Sequence, residues 1–292
     1  MVASGESNYY LCKHFTEEGK EILLEKCCSP QSREPDIYEL MDNYGLFKTN
    51  ILLRTPELKG IIERKNYIKL FLSYERGIKL NKYPLEEIDF FKLGQSLGEI
   101  GVHFTPLMKD SEKIKDKPFN YFDAGYAYNV FEENGAIDEE EVKKLVAKVE
   151  DLFKYRKELI SARKSLPSLF SHNDAGLQNI LIQEDGNGAY VFLDWERAGF
   201  NCAGSDIGNV LGLLKETVLK NKRDLEEFER QMVDGYLASL ERSGYNVSRE
   251  EVLFSYNLHF INSKINGAVA KRKLELFRRI AERCDWLKQF VS

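Results

Sequence analysis

Leu169-Phe170-Ser171-His172-Asn173-Asp174-Ala175-Gly176-Leu177-Gln178-Asn179-Ile180-Leu181-Ile182 decides how the rest of this chain is read. A short apolar entry runs into a polar loop carrying His172, Asp174 and, five residues on, Asn179, and the chain then turns apolar again. Glu184-Asp185-Gly186-Asn187-Gly188 is a turn by composition. A second apolar run, Ala189-Tyr190-Val191-Phe192-Leu193, ends on Asp194-Trp195-Glu196. If the two runs pair as a hairpin, Asn179 and Asp194 come to the same open end, beside the loop that carries Asp174.

That grouping suits phosphoryl transfer. The reaction asks for one carboxylate to orient and deprotonate an attacking hydroxyl, and for oxygen ligands that hold magnesium across the phosphates. Magnesium takes few protein oxygens and fills its shell with water and phosphate, so one amide and one carboxylate suffice. Taken singly, Asp174 and Asn179 are ordinary turn formers, and Asp194 and Glu196 ordinary strand-end charges. Their order, with the turn between them, favours the functional reading.

The segment resembles the aminoglycoside phosphotransferase and choline/ethanolamine kinase superfamily, relatives of the protein kinases. The likeness rests on His172-Asn173-Asp174 with Asn179, on Leu193-Asp194-Trp195-Glu196, and on Gly204-Ser205-Asp206-Ile207-Gly208-Asn209. By motif it covers about residues 170–211, and by order of elements most of the chain. The resemblance implies that Asp174 is the catalytic base, that His172 braces its loop, and that Asn179 and Asp194 are magnesium ligands. It further implies that Asp206 locks the catalytic loop through hydrogen bonds. Asn after the His, Glu two residues after Asp194, and Asp-Ile-Gly-Asn look more like choline/ethanolamine and methylthioribose kinases; typical antibiotic kinases have Gly after the His.

Working outward, the first part of the chain reads as strand-rich. Residues 8–15 and 21–28 flank the turn-like Thr16-Glu17-Glu18-Gly19-Lys20 and form an expected antiparallel pair. A helix is expected from Ser29 to Tyr44, stopped by Gly45, with further strands at 50–54 and 67–74. The resemblance assigns roles here too. Ala3-Ser4-Gly5-Glu6-Ser7-Asn8 is similar to the family's phosphate-covering loop, with Ser4, Gly5, Ser7 and Asn8 over the phosphates. Lys26 is the expected lysine on the ATP phosphates, with Glu39 as its ion-pair partner and Glu34 as the rival. Leu70 to Glu75 is similar to the hinge strand, whose backbone at Leu72 to Tyr74 would meet the adenine edge.

After Gly77 and Pro84 the pattern changes to helices. One is expected over 85–103, a charged one over about 138–163, and the last over 271–291. The expected fold is therefore α+β and bilobal, protein-kinase-like, with a small antiparallel-sheet N-lobe at 1–76 and a larger, mainly helical C-lobe at 77–292. For the acceptor, carboxylates would favour a cation; Glu196 is the first candidate, followed by Asp123, Glu132, Glu133 and Asp234. The aromatic stretch from Phe119 to Tyr128 could wall an ammonium group.

The whole-chain numbers narrow the classes. A formal charge of −5 over 292 residues gives no general attraction to nucleic acid or anionic membrane. Five cysteines without paired spacing point to reduced thiols in a cytoplasmic protein. No apolar run approaches the ~20 residues that span a bilayer, and no signal peptide is expected at the start. The expected reactants are ATP, with GTP open, Mg2+ and a small-molecule acceptor, an amino alcohol or an aminoglycoside-type antibiotic, on a monomer or homodimer. The alternatives are a nucleotide-binding pseudokinase, and a protein kinase, which lacks support because no Arg stands between His172 and Asp174 and no Asp-Phe-Gly at Asp194.

Overall fold

Asn8–Phe15 (β1) and Glu21–Cys28 (β2) pair antiparallel across the Thr16–Lys20 turn, with Leu11 opposite Lys26 and His14 opposite Leu23. The turn closes through the Thr16 N–H on the Lys20 carbonyl at 2.8 Å, with Gly19 at φ +79° supplying the left-handed corner. The computed structural model describes residues 8–45, 53–111, 114, 140–183, 188–211, 222–270 and 274–291.

β2 pairs with Tyr67–Ser73 (β5), and β5 with Leu58–Arg64 (β4), giving the order β1-β2-β5-β4, antiparallel throughout. β4 is a strand that the sequence pattern did not announce. Gly60 interrupts it, most of its residues are half-buried or exposed, and so no clean alternation appears. Glu34–Asn43 (α1) opens with Pro35 in its first turn and ends where Gly45, at φ +65°, returns its N–H to Asp42. Its buried stripe is Glu34, Ile37, Tyr38 and Met41, a spacing of three, four and seven that defines one helix face.

A second sheet ties the strands that flank the His172–Asn179 loop to this part of the chain. Its order is β3-β9-β8-β6: Leu53–Arg54 (β3), Tyr190–Phe192 (β9), Ile180–Ile182 (β8) and Ile78–Lys79 (β6). β3 runs parallel to β9, while β8 and β9 form the expected hairpin, Ile180 opposite Phe192. Ser168–Ser171 (β7) and Gly199–Cys202 (β10) make a separate antiparallel ribbon.

The larger, helical part is built on Phe90–Met108 (α2). It starts five residues later than the pattern suggests. Asp89 caps it by accepting the Lys92 N–H at 2.9 Å, and Leu85–Glu87 form only a short 3₁₀ turn. α2 crosses Lys222–Arg242 (α6) in near backbone contact. A Cβ on Gly94 would sit 2.1 Å from the Met232 carbonyl oxygen, and one on Gly235 2.0 Å from that of Phe91, so only glycine fits either position. The charged helix expected over 138–163 is two helices, Glu140–Phe153 (α3) and Arg156–Ser165 (α4). The break falls at Tyr155, whose φ −96° and ψ 18° leave the helical range. Ser205–Leu211 (α5), Arg249–Ala270 (α7) and Leu274–Val291 (α8) complete the order, with α8 packed on α7 and α3.

The architecture is α+β and bilobal, as expected. All five cysteines are free thiols, four of them buried. Among the described residues no helix is long and apolar enough to cross a membrane.

Candidate active site

The loop from His172 to Asn179 joins β7 to β8, and its shape is set by hydrogen bonds of fixed polarity. Asp206, in the first turn of α5 and buried, accepts the His172 N–H on one carboxylate oxygen and the Asn173 N–H on the other, both at 2.8 Å. Asn173 sits at φ +59°, a left-handed conformation that costs a residue with a side chain about 1–2 kcal/mol. Two hydrogen bonds to a carboxylate, about 1.5–3 kcal/mol each, outweigh that cost. This also explains why glycine or asparagine suits the position after the His: both tolerate positive φ.

His172 is fully buried against Trp195, ring centroids 4.6 Å apart. Its Nε2 meets the Leu193 carbonyl at 2.8 Å and its Nδ1 the Asp174 N–H at 3.3 Å. A carbonyl only accepts and an N–H only donates, so the ring is the neutral tautomer with the proton on Nε2. The histidine thus joins the Asp174 backbone to the strand end that precedes Asp194.

Asn179 closes the loop from its other end. Its Nδ2 donates to the Asp174 carbonyl at 3.0 Å and to the Asp174 carboxylate at 3.3 Å, and its carbonyl accepts the Leu193 N–H at 2.8 Å. The hairpin therefore brings Asp174, Asn179 and the residue before Asp194 into one hydrogen-bonded unit. Asp194 itself is left-handed, φ +63° and ψ +68°, which turns its side chain off the strand. Its neighbour Trp195 anchors the bend by donating its indole N–H to Thr55 at 2.8 Å and to the Phe192 carbonyl at 3.1 Å. Thr55 carries no signal in the sequence, and Trp195, part of the Leu193–Glu196 motif, gives no hint of its bond to Thr55; no local signal connects positions so far apart.

Lys26, buried on β2, reaches across to this unit. Its Nζ lies 2.7 Å from Asp194 Oδ1 and 2.5 Å from Glu34 Oε2. Burial opposes the charged ammonium, but the two carboxylates outweigh it and hold Lys26 well above the ordinary lysine range. Full burial raises the Glu34 carboxyl, with Lys26 pulling the other way. Glu34, not Glu39, is thus the ion-pair partner of Lys26. The reason is helical phase: Glu34 shares the inward stripe with Ile37, Tyr38 and Met41, whereas Glu39 falls on the exposed face.

The remaining expected residues are placed as follows. Leu72 is buried in β5, opposite Leu24 of β2 and Leu58 of β4. The N–H groups of Ser73 and Tyr74 are engaged by the Glu57 carbonyl at 2.8 Å and the Ile22 carbonyl at 3.4 Å. Those two donors of the expected hinge are therefore spent within the lobe. Glu196 lies in the 3₁₀ turn Trp195–Arg197, which packs on α1 and puts its charge near Glu34. Asp234 is on α6, paired with Arg230 and Arg249. Asn8 opens β1 opposite Cys28. Ser4, Gly5, Ser7, Asp123, Glu132, Glu133 and the stretch Phe119 to Tyr128 lie outside the described residues.

Asn179 and Asp194 lie at the same end of the β8–β9 hairpin, and an amide oxygen and a carboxylate are donor types that suit a hard divalent ion. A model of the phosphotransferase enzyme family matches residues 64–246, more than half of the chain. The chain belongs to this family. It is a phosphotransferase with an alcohol group as acceptor. Solved structures similar to this phosphotransferase include aminoglycoside 2'-phosphotransferase-IIIa in its GDP complex, 12% identical with a TM-score of 0.60, covering 99% of this chain and 91% of that one. Spectinomycin phosphotransferase APH(9)-Ia, in complex with ADP and spectinomycin, is 14% identical with a TM-score of 0.58, over 99% and 92% of the two chains. Choline kinase from Cryptosporidium parvum Iowa II is 15% identical with a TM-score of 0.50, over 99% and 87%. At such identities the likeness concerns the fold. No curated protein matches the chain.

Proposed function

We propose that this phosphotransferase moves the terminal phosphoryl group of ATP to a hydroxyl of a small, cationic acceptor, an amino alcohol or an aminoglycoside-type antibiotic. The observation that carries the reading is the hydrogen-bonded unit of Asp174, Asn179 and Leu193, the residue before Asp194, together with the ion pair of Lys26 and Asp194. The nucleotide lies between a covering lobe, residues 1–76, and a catalytic and acceptor lobe, residues 77–292. Asp174 orients the acceptor hydroxyl and takes its proton as the oxygen attacks phosphorus. Lys26, its charged form favoured by Glu34 and Asp194, would contact the phosphates, with Glu34 aiming it. Asn179 and Asp194 would hold magnesium, whose positive charge would offset that of the phosphates.

Two observations support the acceptor class. The chain is acidic, at −5, and among its structural neighbours are kinases named for choline and for spectinomycin. The test is 31P NMR with ATP and Mg2+ against choline, ethanolamine, methylthioribose, homoserine, thiamine, several aminoglycosides and a macrolide. A new phosphomonoester on a cationic alcohol is the expected result. Phosphorylation confined to neutral sugars would remove the cationic reading and leave the reaction class standing.

A further inference from the structure

Behind the catalytic loop lies a chain of side-chain amides that the proposed chemistry does not use. Asn173 and Asn201 are both buried. Asn173 Nδ2 donates to the Gly199 carbonyl at 3.0 Å and to the Ser171 carbonyl at 3.3 Å. Asn201, on β10, donates its Nδ2 to Asn173 Oδ1 at 2.7 Å. Asn201 Oδ1 in turn accepts the Cys202 N–H at 2.9 Å and the Arg163 guanidinium at 3.2 Å. Arg163 stands in the last turn of α4, half-buried.

The polarity of this chain is determined from both ends. The Cys202 N–H and the guanidinium only donate, so Asn201 must turn its oxygen to them and its NH2 to Asn173. The Ser171 and Gly199 carbonyls only accept, so Asn173 must turn its NH2 to them and its oxygen to Asn201. The two requirements agree. Neither amide can flip without setting like groups against each other at both of its ends. Asn173 is also the left-handed residue immediately before Asp174.

We propose that Asn173, Asn201 and Arg163 form a one-way hydrogen-bond relay that holds the catalytic loop in its left-handed bend, so that Asn201 and Arg163 are positioning residues for Asp174. The Asp206 carboxylate fixes the backbone N–H groups of the bend, and the relay fixes the side chain that a glycine would lack. An enzyme with glycine at this position needs no such clamp. This enzyme, with a side chain there, is built around one. The inference rests on the reading of Asp174 as the base.

The test is a double-mutant cycle on ADP release from Mg2+·ATP, run with the acceptor that the NMR panel returns and with water alone. Asn201→Asp is isosteric but cannot donate to Asn173. It is expected to lower kcat about tenfold or more with the KM for ATP within about twofold. In an Asn173→Gly background, where no side chain needs holding, the same change should cost less than about twofold. Hydrogen exchange of the segment 168–182 gives a readout independent of turnover: faster exchange in Asn201→Asp, and no further increase when Asn173→Gly is present. Should Asn201→Asp fail to fold, Arg163→Met, a change at a half-buried position, carries the same cycle with a loss of about threefold. Equal losses in the two backgrounds, or no loss in either, would overturn the relay. Asp174→Asn is run alongside. Turnover retained there removes the base assignment itself, whereas an inactive Asp174→Asn beside an unaffected Asn201→Asp removes only the relay.

Discussion

Asp174 and Asn179 stand five residues apart in one loop, whereas Lys26 meets Asp194 from 168 positions away. The loop side of the site is specified by residues no more than 34 positions apart: a hairpin, a pair of N–H groups on the Asp206 carboxylate and a histidine of fixed tautomer. The Lys26 side exists only because β2, α1 and the β9 end pack together. A local unit tolerates changes elsewhere, and a packed contact depends on everything between. The two sides should therefore fail differently, the loop side in turnover and the Lys26 side in nucleotide affinity.

The largest effect expected across this divide is at Asp194, where the two sides meet. Asp194→Asn should lower kcat by about a hundredfold or more and shift the Mg2+ titration to higher concentration; an unmoved titration would show that the hairpin end holds no metal. Lys26→Ala comes next, with a rise in the KM for ATP of about tenfold and a smaller change in kcat. If kcat alone falls, Lys26 belongs with the loop side and the comparison breaks. The finest test sets two glutamates of one helix against each other. Glu34→Gln should raise the ATP KM about threefold by releasing Lys26, while Glu39→Gln should stay within experimental error. Reversal of that pair would restore Glu39 as the partner and contradict the helical phase seen in α1.

What could be read from the chain follows the same divide. The loop, the β8–β9 hairpin, the β1–β2 pair and the end of α1 at Gly45 all rest on signals a few residues long: turn composition, alternation and a stop glycine. The Glu34 pairing was within reach as well, since Glu34, Ile37, Tyr38 and Met41 form one stripe and Glu39 does not. β4 was not legible, because Gly60 and its half-exposed residues erase the alternation that a strand normally shows. The Thr55–Trp195 bond and the Gly94–Gly235 crossing are long-range facts, and no window of sequence contains both partners. The break at Tyr155 was hidden by charges that suit helix on both sides of it.

The central claim is that Asp174 acts on the acceptor and not on the nucleotide. Calorimetric binding of Mg2+·ATP and ADP-release turnover, measured together on native protein and Asp174→Ala, separate the two. The account predicts a nucleotide Kd within about threefold of native and a kcat lower by about a hundredfold or more. Turnover within a few-fold of native, with binding intact, would contradict it.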